Sequence, residues 1–182
     1  AGSITVNTGG ALQFQADVTF ERPITINGTG VSNTGAIRNI SGTNALTGLV
    51  TLGSAARINS DAGTLTLSNA SSVTGTNDAL TLGGASNIAV SGTLGLGTAA
   101  LNKDGAGTAT LAVANTYTGN TNISNGALVP SVANAFGTSG TINITSTGTL
   151  QFQNAMTFAR PINLGSVGNG NVGGIRLISS NV

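Results

Sequence analysis

Residues 12–24 read LQFQADVTFERPI, and residues 150–162 read LQFQNAMTFARPI. The offset that carries Arg22 onto Arg160 holds without a gap on either side: Gly10 matches Gly148, Phe20 matches Phe158 and Arg38 matches Arg176. Long-range self-similarity in fixed register is the mark of a stacked, quasi-one-dimensional architecture, in which an insertion in one copy would break the pairing. The 182-residue chain therefore reads as a single continuous segment, 1–182. Residues 1–138 form one full period and 139–182 the start of the next. On this reading both ends are cuts through a longer array.

Such a period is too long for one structural unit, and smaller units recur inside it. SITVN, LQFQ, LVTLG, TLTLS, ALTLGG, NIAVSG, TATLAV and INITS each carry apolar residues at spacing two, as Leu65 with Leu67 or Leu80 with Leu82. Gly, Asn or Ser follows each run. That combination signals half-buried strands closed by turns. No stretch sustains a helical period, and SVANAF (131–136) has room for one turn. The strands are short, and the turns lack the Asn-Gly and Asp-Gly pairs flanked by long strands that mark hairpins. The expected fold is all-β: a right-handed parallel β-helix (β-solenoid) built of short stacked strands, its hand following the crossover rule. At roughly 20–25 residues per coil the chain holds about eight coils, a rod about 40 Å long.

This architecture accounts for the composition. Only 6% of residues are charged, although 39% are hydrophobic. Coils stack like residues about 4.8 Å apart, where like charges repel and Thr, Ser and Asn form ladders instead. The net charge of +1 gives no electrostatic case for nucleic acid. No apolar run reaches the length of a membrane span, so no membrane insertion is expected within this segment. Cysteine is absent, which excludes disulfides and thiolate metal sites.

Chemistry-bearing residues are few. Without histidine there is no Ser-His-Asp or Cys-His arrangement and no zinc site of the usual kind. The acids are Asp17, Glu21, Asp61, Asp78 and Asp104. β-Helices do host glycoside-cleaving carboxylate pairs, but Asp17 and Glu21 become Ala155 and Ala159 in the second copy. Asp61 and Asp104 stand in SDAG and KDGAG, where turn duty is expected. No catalytic, cofactor-binding or metal-binding residue is assigned, no cofactor is expected, and the segment reads as not an enzyme. Arg22 and Arg160 are expected to cap carbonyls at a corner while their stems cover apolar surface. Pro23 and Pro161 should fix the bend entering a strand. Tyr117, the one tyrosine, should lay its ring on the neighbouring coil and bond through its hydroxyl. The N-x-S/T triplets at Asn27, Asn39, Asn69, Asn122 and Asn143 are expected from composition alone.

Residues 101–128, LNKDGAGTATLAVANTYTGNTNISNGAL, resemble the autotransporter-associated β-strand repeat of bacterial passenger domains. The resemblance rests on Leu-x-Lys-x-Gly-x-Gly-Thr from Leu101, a strand ending at Leu111, Asn-Thr-Tyr-Thr-Gly at 115–119, a strand at Ile123, and Gly126-Ala-Leu. Residues 134–152 resemble the tail that follows this motif. Ala127 stands where Thr is common, and Val129-Pro130 predicts an interruption of the strand after Leu128. The resemblance implies a right-handed parallel β-helix at the extracellular or outer-membrane surface of a bacterium, or secreted from it. The function it implies is a structural shaft segment of a large surface or fibrous protein, supporting adhesion or filament formation. Partners would be neighbouring solenoid segments of the same or identical chains stacked end to end, with host or cell-surface glycans or proteins beyond them. A second reading is a glycan- or ice-binding β-helix module, and a third a polysaccharide lyase or hydrolase. The Thr-x-Thr pairs at 64–66 and 108–110 are spaced too irregularly to favour an ice-binding face.

Overall fold

The computed structural model describes residues 2–165 and 174–178. The fold is the expected all-β right-handed parallel solenoid, and every strand pair among the described residues is parallel. Three faces can be followed along the axis. Face 1 stacks Ile4–Val6, Ile24–Gly28, the start of Val50–Ser60, Val73–Gly75 and Leu94–Gly95. Face 2 stacks Leu12–Phe14, Ile37–Asn39, the end of Val50–Ser60, Leu80–Gly83, Leu101–Lys103, Thr121–Ile123, Ile142–Ile144 and Ile162–Leu164. Face 3 is an eight-stranded sheet running from Thr19–Phe20 to Gly174–Leu177. The corner between faces 1 and 2 vanishes in one coil, where Val50–Ser60 passes through both as one strand.

The alternation read from the sequence sets the inside. Leu46, Leu67, Val90 and Leu111 stand in line on face 3, all buried. Leu65, Leu80, Leu82, Leu101 and Ile123 are equally enclosed. Each such side chain contributes about 1.5–3 kcal/mol on full burial. Outward positions ladder as expected. Thr5, Thr25, Thr51 and Thr74 are in register on face 1. The Asn122 amide donates to Asn102 at 2.8 Å, and the Asn143 amide to Asn122 at 2.9 Å.

The two copies of the repeat fold alike locally. Ile4 N donates to Pro23 O and Ile142 N to Pro161 O, both at 2.9 Å. Phe14 meets Phe20 edge-on at 5.6 Å, and Phe152 meets Phe158 at 5.6 Å. Both leading phenylalanines turn inward: Phe14 is buried, and Phe152 packs against the core. The match is not complete. Ala16 and Asp17 adopt positive φ, which their counterparts Asn154 and Ala155 do not. Thr19–Phe20 is a strand because Thr43–Leu46 pairs with it; Thr157 and Phe158 are outside any strand.

One expectation is corrected. The strand does not break after Leu128: Ala127–Pro130 pairs with Thr108–Leu111 along its whole length. Pro130 is tolerated because it stands at the last position, and Ser131 N supplies the next bond, to Leu111 O at 2.9 Å. The SVANAF segment makes the single turn expected, closed by Ala135 N to Val132 O at 3.1 Å.

Candidate functional site

Residues 101–129 lie in the middle of the described solenoid, and each unusual residue in them has a physical task. Leu101–Lys103 lies on face 2 with Leu101 and Lys103 inward. Lys103 stands between Leu82 and Ile123 in an otherwise aliphatic row. Its ammonium is buried and donates to the carbonyls of Asp104 at 2.7 Å, Gly105 at 2.8 Å and Asn125 at 3.1 Å. The third bond ties its coil to the next. Burial pushes its pKa down to about 8, with the Asp104 charge opposing and Arg57 assisting.

The glycines after Lys103 permit coils to touch. Gly105 and Gly126 both have positive φ, 73° and 65°, and stack at one corner. A Cβ on Gly105 would land on the Gly84 carbonyl, and one on Gly126 on that of Gly105. A Cβ on Gly119 would strike the carbonyl of Ala99.

Asn-Thr-Tyr-Thr-Gly takes over face 1 where its strands stop at Leu94–Gly95. The buried Asn115 accepts from Leu94 N at 2.6 Å through Oδ1 and donates to Ala135 O through Nδ2. One side chain thus joins the coil before to the coil after, in place of a ladder. Tyr117 is fully enclosed, and its hydroxyl meets Thr121 Oγ1 at 2.7 Å. Its pKa is raised by burial, so the phenol stays neutral.

Two ion pairs run between coils. Arg57 reaches over Gly83 to Asp104, making bonds of 2.7 and 2.6 Å, and also donates to Asn59 at 3.1 Å. A Cβ on Gly83 would occupy the guanidinium's place. Arg38 meets Asp61 at 2.5 Å, and Asn59 donates to the other Asp61 oxygen at 2.7 Å. A polar line therefore runs Arg38–Asp61–Asn59–Arg57–Asp104. Asp61 and Asp104 do more than the turn duty expected of them: they neutralise arginines one and two coils away.

The remaining sequence candidates fall into place separately. Asp17 accepts from Thr43 N at 2.6 Å at a corner, and Glu21 is exposed. Arg22 Nε donates to Gly2 O at 2.8 Å and Arg160 Nε to Gly140 O at 2.9 Å, so the carbonyl-capping expectation holds at equivalent positions of both copies. Asn39 is buried and donates to Ser60 and Ala62. Asn27 and Asn69 bond the Val6 and Thr47 carbonyls of the preceding coil. Among the described residues no group of three or more His, Cys, Asp or Glu side chains could hold a metal.

Sequence reasoning missed Lys103 as an interior group, Arg57 as its electrostatic neighbour, and Asn115 as a bridge. Spacing two from Leu101 was the available signal for Lys103. For Arg57 no local signal exists, since its partner Asp104 stands two coils further on.

Residues 101–129 match the model of the passenger-associated-transport-repeat family. No curated protein and no solved structure matches the chain.

Proposed function

We propose that this chain, whose residues 101–129 match the passenger-associated-transport-repeat family, is a structural shaft segment of a large bacterial surface or extracellular protein. It acts by being long, stiff and repeated, and so spaces or displays adhesive parts. The observation that carries this reading is that its polar and charged side chains are spent on joining one coil to the next. Lys103, Asn115, Arg57 with Asp104, and the Asn102–Asn122–Asn143 ladder all do so. The same match supports placement at the cell surface or outside it.

Axial continuation is part of the proposal. In the last described coil Leu164, Ile175 and Leu177 are 55%, 45% and 81% exposed. Their counterparts one period earlier, Ile26, Ile37 and Asn39, are fully buried under the following coil. A further coil of the same polypeptide is the occupant that fits, because the period already supplies it once. Electron microscopy of the full polypeptide should show rods with an axial period of about 29–30 Å per repeat. Compact particles with closed ends would overturn the reading.

The ice-binding alternative loses ground on face 3. Thr64 and Thr66 are followed by Asn87 and Ala89, and Thr108 and Thr110 by Ala127 and Val129. Threonine pairs therefore do not form a flat rank. A screen with neutral and acidic glycans for turnover tests the enzymatic alternative, and no turnover is expected.

A further inference from the structure

We infer that the long repeat turns its own surface by one face with each copy, so that the repeated surface is displayed on successive sides of the rod and not along one. The inference rests on the shaft reading. Ile4 begins on face 1, paired only with Ile24 and through it with Val50 and Val73. Its counterpart Ile142 lies on face 2, over Thr121 and Leu101. Leu12 is on face 2, in line with Ile37 and Ile58, and its counterpart Leu150 is on face 3, over Leu128. Every step is one face forward.

The local build survives the turn. Ile4 pairs with Ile24 as Ile142 does with Ile162, and Gln13 pairs with Arg38 as Gln151 does with Arg176. The same outward side chains are thus presented in the same arrangement, one face further round the coil. The cause is coil length. A coil can be as short as the step from Thr108 to its partner Ala127, or as long as that from Ile24 to Val50. With coils of these lengths, the stretch from Leu12 to Leu150 fills six coils and one further face. Three periods, about 19 coils or roughly 90 Å, bring the surface back to its starting side. A partner with one flat face meets only one of two successive copies. Partners approaching from several sides meet all of them.

The chain has no native cysteine, so spin-label pairs test the phase directly. Gln13→Cys with Gln151→Cys labels equivalent positions of the two copies. Gln13→Cys with Thr145→Cys is the same-face comparison. Thr145 follows Ile144, which is in line with Leu12 through Ile37, Ile58 and Ile123. Circular dichroism verifies that each variant is folded. The same-face pair should lie about 29 Å apart, six coils along the axis. The equivalent-position pair should be longer, roughly 31–35 Å, since a lateral arm of about 10–20 Å between faces adds in quadrature. A separation of about 29 Å for Gln13→Cys/Gln151→Cys would show a whole number of coils per period and overturn the inference. Compact particles in the microscope would overturn the shaft reading and leave this distance unchanged, so the two failures are separable.

Discussion

The guanidinium of Arg57 closes on the carboxylate of Asp104 through two bonds, of 2.7 and 2.6 Å, crossing an entire coil at Gly83. The arginine side chain is 10% exposed and the aspartate 38%. Solvent therefore screens one end of the pair and scarcely touches the other. Asp104→Asn leaves a mostly buried cation without its counter-charge. The expected loss is roughly 1–3 kcal/mol, below the range for a fully buried pair because Asp104 is wet. Gly83→Ala should cost a similar amount by pushing the guanidinium aside. The double variant should then be clearly less destabilised than the sum, because each change breaks the same contact. Urea midpoints of the three variants provide the check.

Stability should rise with pH on the alkaline side before it falls. Lys103 titrates at about 8 in the folded chain against 10.5 ordinarily. Between those values the unfolded chain holds a proton that the folded chain has released, so raising pH favours folding. The gain is up to about 3 kcal/mol across the window. Tyr117 acts in the opposite sense. Its folded pKa is raised above 10.0 by burial, so above that pH the unfolded phenol ionises while the folded one does not, and stability declines. Denaturation midpoints measured over roughly pH 7 to 11 should peak near pH 10. In Lys103→Met the rise should disappear and the decline remain.

Asn115→Ala should destabilise by about 2–4 kcal/mol, since the buried Leu94 N–H and Ala135 C=O both lose their partner. Asn115→Asp restores an acceptor for Leu94 but no donor for Ala135, and should recover only part of the loss. Amide exchange at Leu94 distinguishes the two. It should quicken sharply in the alanine variant and much less in the aspartate one.

Tyr117→Phe should cost about 1 kcal/mol, because it orphans the Thr121 hydroxyl inside the core. Adding Thr121→Val should return most of it, both polar partners then being gone. Tyr117→Ala should cost about 3–5 kcal/mol, the range for emptying an aromatic site. Thermal denaturation of the three variants, with matched buffers, measures the series.

The strands, their parallel stacking and the enclosed tyrosine were legible because each depends on local alternation or on one residue's chemistry. Leu65 with Leu67 and Leu80 with Leu82 declare their inward positions without knowledge of their neighbours. Lys103 was not picked out because a lysine reads as surface. Its spacing from Leu101 put it inside, and only three carbonyls converging from two coils make that tolerable. The phase of the period was invisible because a sequence offset counts residues and not coils. Coil length varies with loops such as the one at 29–36, between Ile24–Gly28 and Ile37–Asn39. Pro130 misled for a related reason: whether a missing N–H matters depends on which strand lies on which side.

The pairing distance has a consequence for how such a chain comes into being. Among the described residues each strand after the first coil pairs one coil back, Ile162 on Ile142 near the last coil as Ile24 on Ile4 at the first. The closure entropy of each step is that of a loop of about twenty residues, and it does not grow as the rod lengthens. A finished coil is therefore a template for the next, although side chains such as Arg57 and Asn115 complete their bonds only when later coils are in place. Polypeptide delivered in order through an opening only wide enough for an extended strand could set coil by coil as it emerged. The growing tip would be an unfinished edge.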